Sequence, residues 1–442
     1  MRFPPILRLV RHRLRIRLHA GAILGALTLA TASGAAVGQQ NDDARFADWG
    51  KVELATETRT FKEAMRAGGA FDAAARGYLE QIALPQLELE SNRSTIERVR
   101  RRMREFLFGD IVNEKASDDA NKAVLAFMQA LADKQEAEPV VRVNAMLLIG
   151  ELQGADRKPL QAAAPVLARA ASNADLSKAV RIAACVGLHR HVEATRGGVE
   201  ERQRLASVAH PAILAILAAS AAPGAAVEDD WLASRCLSML PLLGPGSPET
   251  IAEAARILGE EALSIDVRVR AAAAVAATAG PDAKIEVAAV IPAIGKLAVG
   301  SLDRDAAAAD RLLLERQSGI ASGLPTAGPR GLAPPGAIGD PSGQPGGEQL
   351  IPREVCRRAA WRLSVLADSI LTDDSKRGLA VRAAEGDVRT GFQELAQKLR
   401  RAAMELDAVP EEATLRQALA DIKPPTSEES AEEKPDASGD EQ

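Results

Sequence analysis

Few residues in this chain are equipped for chemistry. His189 and His191, in the run LHRHVE, stand two apart, with Glu193 four beyond His189 and His210 further along. Two residues apart on a helix do not share a face, so the pair makes an awkward metal site. Solvent-exposed histidines at a helix end are the simpler expectation. The three cysteines, Cys185, Cys236 and Cys356, are odd in number and far apart. That argues against a disulfide framework or a thiolate metal site and for small apolar roles on helices. Gly244-Pro245-Gly246 is a tight turn, and no P-loop, nucleophile elbow, dinucleotide turn or zinc-protease helix occurs. Acids are scattered, with no pair placed for general acid–base work. The sequence therefore offers no catalytic, cofactor-binding or metal-ligating residue, and the expectation is a non-enzymatic protein that needs no cofactor.

One charged feature remains. Residues 92–108 form an amphipathic helix in which Ser94 can cap the first turn and Glu97 close a capping box. Ile96, Val99, Met103, Phe106 and Leu107 share one face, and Arg98, Arg100, Arg101, Arg102 and Arg104 cover the rest. Such a face could dock an acidic protein, an anionic lipid surface or another polyanion, or simply be solvated. Aromatic residues make up only 3% of the chain and do not interleave with these arginines, which argues against nucleic acid. Trp49, Trp231, Trp361 and Tyr78 are candidate interface residues, although Trp361 falls between core positions and should be packed.

The elements that position these residues repeat. The stretch PVVRVNAMLLIG, Pro139 to Gly150, sets a frame of Val141-Arg142, Ala145 and Leu148. Val180-Arg181 with Ala184 copies it, as does Val269-Arg270 with Ala273 and Asp266 ahead of it; Leu232, Cys236, Leu240 and Val355, Ala359, Leu363 are looser copies. The starts at 141, 180, 232, 269 and 355 are 39, 52, 37 and 86 residues apart. Asp266, Val269, Arg270 and Ala273 resemble the Asp-x-x-Val-Arg-x-x-Ala second helix of HEAT repeats. The resemblance runs over residues 118–408. It implies an all-α fold, a right-handed αα-solenoid of HEAT-like helix pairs. It also implies that the frame arginines bond an aspartate along the stack, Asp266 being the kind of partner. Arg142, Arg181 and Arg270 should then point off the apolar face.

In this frame, helices over 118–134 and 140–152 form the first pair, 159–171 and 174–192 the second, and 210–219 and 230–243 the third. The fourth pair is 251–258 and 267–279, opened by Ser247 as cap and Pro248 at the first helical position. A fifth begins at 286–299, followed by a separate helix at 301–317. The glycine- and proline-rich run at 318–350 reads as a disordered insertion. Helices at 353–371, 376–384 and 388–404 and a cap at 411–421 complete the body.

The ends complete the organisation. Residues 1–38 carry six arginines, no acid, an apolar run at 20–32 and small residues near Ala36, the pattern of a signal peptide. Removing those arginines takes the remainder from −5 to −11, a further argument against nucleic acid. The expected units are this leader, an N-terminal helical extension at 39–117, repeats at 118–317, the insertion at 318–350, C-terminal repeats and cap at 351–422, and a disordered acidic tail at 423–442. Export to a periplasmic or secreted location follows, the alternative being an inner-membrane anchor at 20–32. The function expected is a protein-binding scaffold or adaptor. The alternatives are an envelope- or polyanion-binding protein acting through the arginine helix, or the accessory subunit of an enzyme.

Overall fold

The computed structural model describes residues 55–66, 71–109, 113–195, 198–220, 227–278, 287–321, 353–371, 378–382 and 387–422. The leader, Trp49, most of the insertion and the acidic tail lie outside them. The chain divides into Met1–Ala55 and a body, Thr56–Gln442, and the following concerns the body. Its described residues are helical, with one isolated β-bridge between Gln153 and Pro159. The α-helices are α1 (Ala55–Arg66), α2 (Ala73–Tyr78), α3 (Ile96–Phe108), α4 (Glu114–Asp133), α5 (Pro139–Ile149), α6 (Ala163–Ser172), α7 (Lys178–Ala194) and α8 (Val199–Ser220). They continue with α9 (Val227–Leu243), α10 (Pro248–Gly259), α11 (Ile265–Thr278), α12 (Val287–Ala321), α13 (Arg353–Ile370), α14 (Asp387–Ala408) and α15 (Glu412–Ile422).

Three hairpins are built alike. Arg142 Nε donates to the Ala132 carbonyl at 2.8 Å, Arg181 Nε to Ala171 at 3.1 Å and Arg268 Nε to Leu258 at 3.0 Å. Each acceptor is the penultimate residue of the hairpin's first helix, and each arginine comes ten residues later. The last carbonyls of a helix have no intrahelical partner and carry the negative end of its dipole. A guanidinium answers both. The residue that ends the first helix is extended in all three: Lys134 (φ −68°, ψ 105°), Asn173 (−75°, 108°) and Glu260 (−79°, 100°). A turn bond then follows in each, Ala137 N–H to Lys134, Leu176 to Asn173 and Leu263 to Glu260.

These bonds correct two expectations. Arg142 and Arg181 do not point off the apolar face; they are only 6% and 8% exposed. The copy in α11 is Val267-Arg268 with Ala271, not Val269-Arg270 with Ala273, a shift of two residues. In the corrected register the starts are 141, 180, 232, 267 and 355, with steps of 39, 52, 35 and 88. The position four beyond each start holds Ala145, Ala184, Cys236, Ala271 and Ala359, all fully buried. The arginine position holds Ala233 in α9 and Cys356 in α13, so those helices lack the anchor.

Small residues let the second helices pack closely. α5, α7, α9, α11 and α13 contact one another in chain order, while α6 contacts α8, α8 contacts α10 and α10 contacts α12. Gly150 and Gly187 meet backbone to backbone: a Cβ built on Gly187 would lie 2.8 Å from the Gly150 Cα and 2.8 Å from a Leu167 methyl. Ahead of the first hairpin, Phe61 stacks on Phe106 with ring centroids 4.7 Å apart, and Tyr78 and Phe71 complete the cluster. Asn113 joins this bundle to α4. Its Oδ1 caps α4 by accepting from the Ala116 N–H at 3.3 Å, and its Nδ2 donates to Ala64 at 3.1 Å.

Pro139 and Ser247-Pro248 begin helices as expected, Ser247 Oγ accepting from the Thr250 N–H at 3.3 Å. The Ser94 capping box is absent. Asn92 is buried with Nδ2 donating to the Gln86 carbonyl, and residues Glu90–Thr95 are a 3-10 turn that runs into α3. Nor does Gly300-Ser301 split a helix: α12 is continuous, Ser301 Oγ returning a bond to Ala298 at 2.8 Å. α8 begins at Val199 rather than at 210 and runs through Pro211.

Replacing any one anchor, Arg142→Met, Arg181→Met or Arg268→Met, should lower stability by about 1.5–3 kcal/mol, the scale of a charged hydrogen bond to a buried partner. Urea unfolding of the three variants measures it. Gly187→Ala should cost about 1–3 kcal/mol, because backbone rather than a flexible side chain must yield.

Candidate interaction surface

The histidines do not form a site. His191 is 3% exposed, not solvent-facing, because the end of α7 is covered. Burial, helped by Arg190, lowers its pKa to about 4. His189 Nδ1 lies 3.7 Å from Glu193, and both ring nitrogens of His210 are buried without a hydrogen-bond partner. Among the described residues, no group of three or more His, Cys, Asp or Glu is arranged to hold a metal ion. An open cleft of about 340 Å³ near the N-terminal bundle is lined by Arg76, Glu80, Lys122 and Phe127. Its charges are engaged, Arg76 with Glu80 at 3.5 Å and Lys122 with Asp119 at 3.3 Å.

Nor do the arginines of α3 make one open face. Arg98, Arg101 and Arg104 are exposed. Arg100 instead turns inward, its Nε 3.8 Å from Glu151, which also holds Arg190 at 3.0 Å. Burial lowers the Arg100 pKa, with Glu151 opposing. Arg101 pairs with Glu97 one turn back at 3.6 Å.

A different surface emerges on the outward side of the second helices. Trp231 and Arg235 occupy successive turns of α9, with the Arg235 guanidinium 5.5 Å from the Trp231 ring centre. On α11, Asp266 and Arg270 are spaced the same way, and Arg270 reaches over Trp361 of α13 at 5.1 Å. All five residues are half-buried. The two arginines are close enough to feel each other. Burial lowers the Arg270 pKa first, Arg235 lowers it further and Asp266 opposes both. Among the described residues neither arginine is in an ion pair, and Arg270 Nε is buried without a hydrogen-bond partner. Guanidinium on indole is a favourable contact, worth roughly 0.5–2 kcal/mol depending on desolvation. The surface continues onto α5 and α7, where Val143, Leu147, Ile182 and Val186 are half-buried.

The acid beside this strip is already committed. Arg362 Nε donates to Asp266 at 2.8 Å, and its Nη1 donates to both Asp305 oxygens at 2.9 and 2.8 Å. An arginine–aspartate bond thus runs between α13 and α11, but from Arg362 rather than from a frame arginine. Arg362 fills the buried position that is Leu148, Gly187, Met239 and Ala274 in the preceding helices. A charge there needs a partner, and α12 supplies Asp305. Burial raises the Asp305 pKa, with Arg362 pulling it back. Trp361 therefore has the Arg270 guanidinium over its ring, while its neighbour Arg362 is directed to Asp266 and Asp305. Sequence reasoning marked Trp231 and Trp361 but missed Arg235 and Arg270 as their partners; the four-residue spacing of Trp231 and Arg235 was the available signal.

No protein-family model matches this chain, and no curated protein or solved structure matches it either. Among the described residues no helix is long and apolar enough to cross a membrane.

The buried histidine makes the fold acid-sensitive. An unfolded histidine takes its proton near pH 6.5, whereas folded His191 stays neutral down to about 4. Its contribution is complete above about pH 6.5 and is lost as pH falls through that window, on the order of 3 kcal/mol at the limit. His210, lowered by burial, acts in the same direction. Urea midpoints at pH 7 and 4.5 should therefore fall less for His191→Leu than for the parent. An equal fall in both would mean that His191 titrates normally in the folded protein.

Proposed function

We propose that this chain is a non-enzymatic, exported scaffold or adaptor. Its architecture is read as a right-handed αα-solenoid of HEAT-like pairs that binds a partner protein along the outward faces of the second helices. Three hairpins of one construction, with second helices packed in chain order, support the architecture. The leader pattern in residues 1–38 supports export, with retention through residues 20–32 as the variant reading.

The observation that carries the binding role is the strip of Trp231, Arg235, Arg270 and Trp361. Tryptophan and arginine are the residues most enriched among energetically dominant interface positions. Here each of two rings carries a guanidinium group that, among the described residues, is in no ion pair. The partner that fits is a protein segment presenting a carboxylate next to an apolar side chain. Half-buried aliphatic residues on α5 and α7 extend the contact area beyond the strip.

A pull-down from the host envelope with the chain from Gln39 onward should yield one stoichiometric protein. Trp231→Ala and Arg235→Glu should each weaken that complex by about 2 kcal/mol, roughly 30-fold, at unchanged helical content. Arg101→Glu and Arg104→Glu should leave it intact. The opposite pattern, loss with the α3 variants and retention with the strip variants, would move the site to Ile96–Phe108.

A further inference from the structure

The helix that follows the 88-residue step from 267 to 355 is held differently from those before it. In α5, α7 and α11 an arginine one place after the start bonds a backbone carbonyl of its own hairpin. α13 has Cys356 there and carries its buried arginine six residues later, at Arg362. The acceptors of Arg362 are side chains: Asp305 of α12, 57 residues back along the chain, and Asp266 of α11, 96 residues back. The guanidinium and the Asp305 carboxylate are enclosed, at 7% and 11% side-chain exposure, whereas Asp266 at 45% stands at the edge.

We infer that Arg362 positions Trp361 for binding: its bonds to Asp266 and Asp305 fix α13 in the register that brings the indole under Arg270. The inference rests on the binding role proposed for the strip. Consecutive helix residues point about 100° apart, so an Arg362 held toward α11 and α12 turns Trp361 to the outward side. On α11, Asp266 and Arg270 stand one turn apart on one face. Asp266 accepts from Arg362 at 2.8 Å, and Arg270 lies over the Trp361 ring at 5.1 Å. One turn of α11 thus holds two consecutive residues of α13, and both contacts are lost if α13 slides or rotates by a residue. Arg362 Nη1, donating to both Asp305 oxygens at 2.9 and 2.8 Å, fixes α13 against α12 as well.

Packing alone does not call for a charge here. The equivalent position is Leu148 in α5 and Met239 in α9, both fully buried. A buried ion pair exchanged for well-packed apolar side chains commonly costs no stability. What the exchange loses is direction, because an apolar contact tolerates a range of helix rotations and a guanidinium–carboxylate bond does not. Trp231, Arg235 and Arg270 precede the long step and Trp361 follows it, so the strip is whole only while α13 is seated. By linkage, a partner spanning Arg270 and Trp361 holds α13 in its seat.

The test reads the fluorescence of Trp361 in the chain from Gln39 onward carrying Trp49→Phe and Trp231→Phe. Arg362→Met with Asp305→Ala removes both enclosed charges, leaving no carboxylate buried alone, and Asp266→Asn alters the edge acceptor alone. The double variant should keep the parental helical signal, with Trp361 emission shifted to the red and more readily quenched by acrylamide. Asp266→Asn should shift it in the same direction and by less. Asp310→Ala, which breaks an exposed contact of Arg416 with α12 at 2.6 Å, should leave the emission at the parental value. With the native tryptophans restored, the double variant should hold the partner protein as weakly as Trp361→Ala does. Parental emission and quenching in both folded variants, or an equal shift with Asp310→Ala, would overturn the positioning role. Shifted emission with undiminished binding would uphold what Arg362 does to Trp361 and refute the strip as the binding site, so the two readings fail separately.

Discussion

A guanidinium laid against the last carbonyls of the preceding helix is the contact from which the rest of the body follows. It fixes the angle of each hairpin, because Arg142, Arg181 and Arg268 can reach Ala132, Ala171 and Leu258 only if the intervening turn takes one shape. With that angle set, Val141, Val180 and Val267 face inward together with the alanines four residues on. Those alanines, and the bare contact of Gly150 with Gly187, allow the second helices to lie close. A core with so few aromatic residues could not tolerate wider spacing, since aliphatic side chains would leave voids between the layers.

Much of this was legible from the residues. Helix class, the order of pairs and the helix starts at Pro139 and Pro248 follow from period and capping chemistry. The register of α11 did not, for a concrete reason: Val267-Arg268-Val269-Arg270 satisfies a valine-arginine template at two offsets. Only the distance from the end of α10 chooses between them, and that distance is a property of the turn. The Ser94 capping box failed because the 3-10 turn Glu90–Thr95 runs straight into α3, so Ser94 is not the residue that starts the helix. His191 lies near a helix end, which reads as exposure, yet burial depends on what covers that end and not on position in the helix.

The inward and outward faces obey different rules. Inward positions are filled by whatever keeps the layers thin, and a charge admitted there brings a partner: Arg362 has Asp305, as Arg142, Arg181 and Arg268 have helix-end carbonyls. Outward positions are free of that demand, so Trp231, Arg235 and Arg270 are not explained by packing periodicity. The motif that drew attention in the sequence, Asp266 with Arg270 and Ala273, turns out to occupy this outward side. It resembled a structural signature while contributing to a surface. A template match of that kind can find a helix and still assign the wrong job to its residues.

Because the arginine bond closes within ten residues, the anchor of each of the three hairpins that carry it is made within that hairpin. Length can be added or removed elsewhere without disturbing it, and the steps of 39, 52, 35 and 88 residues show how much variation accumulates outside that bracket. A gene encoding such a chain can duplicate or delete a hairpin and keep every anchor that remains. Copy number, in this architecture, is a quantity that evolution can adjust without redesigning the unit.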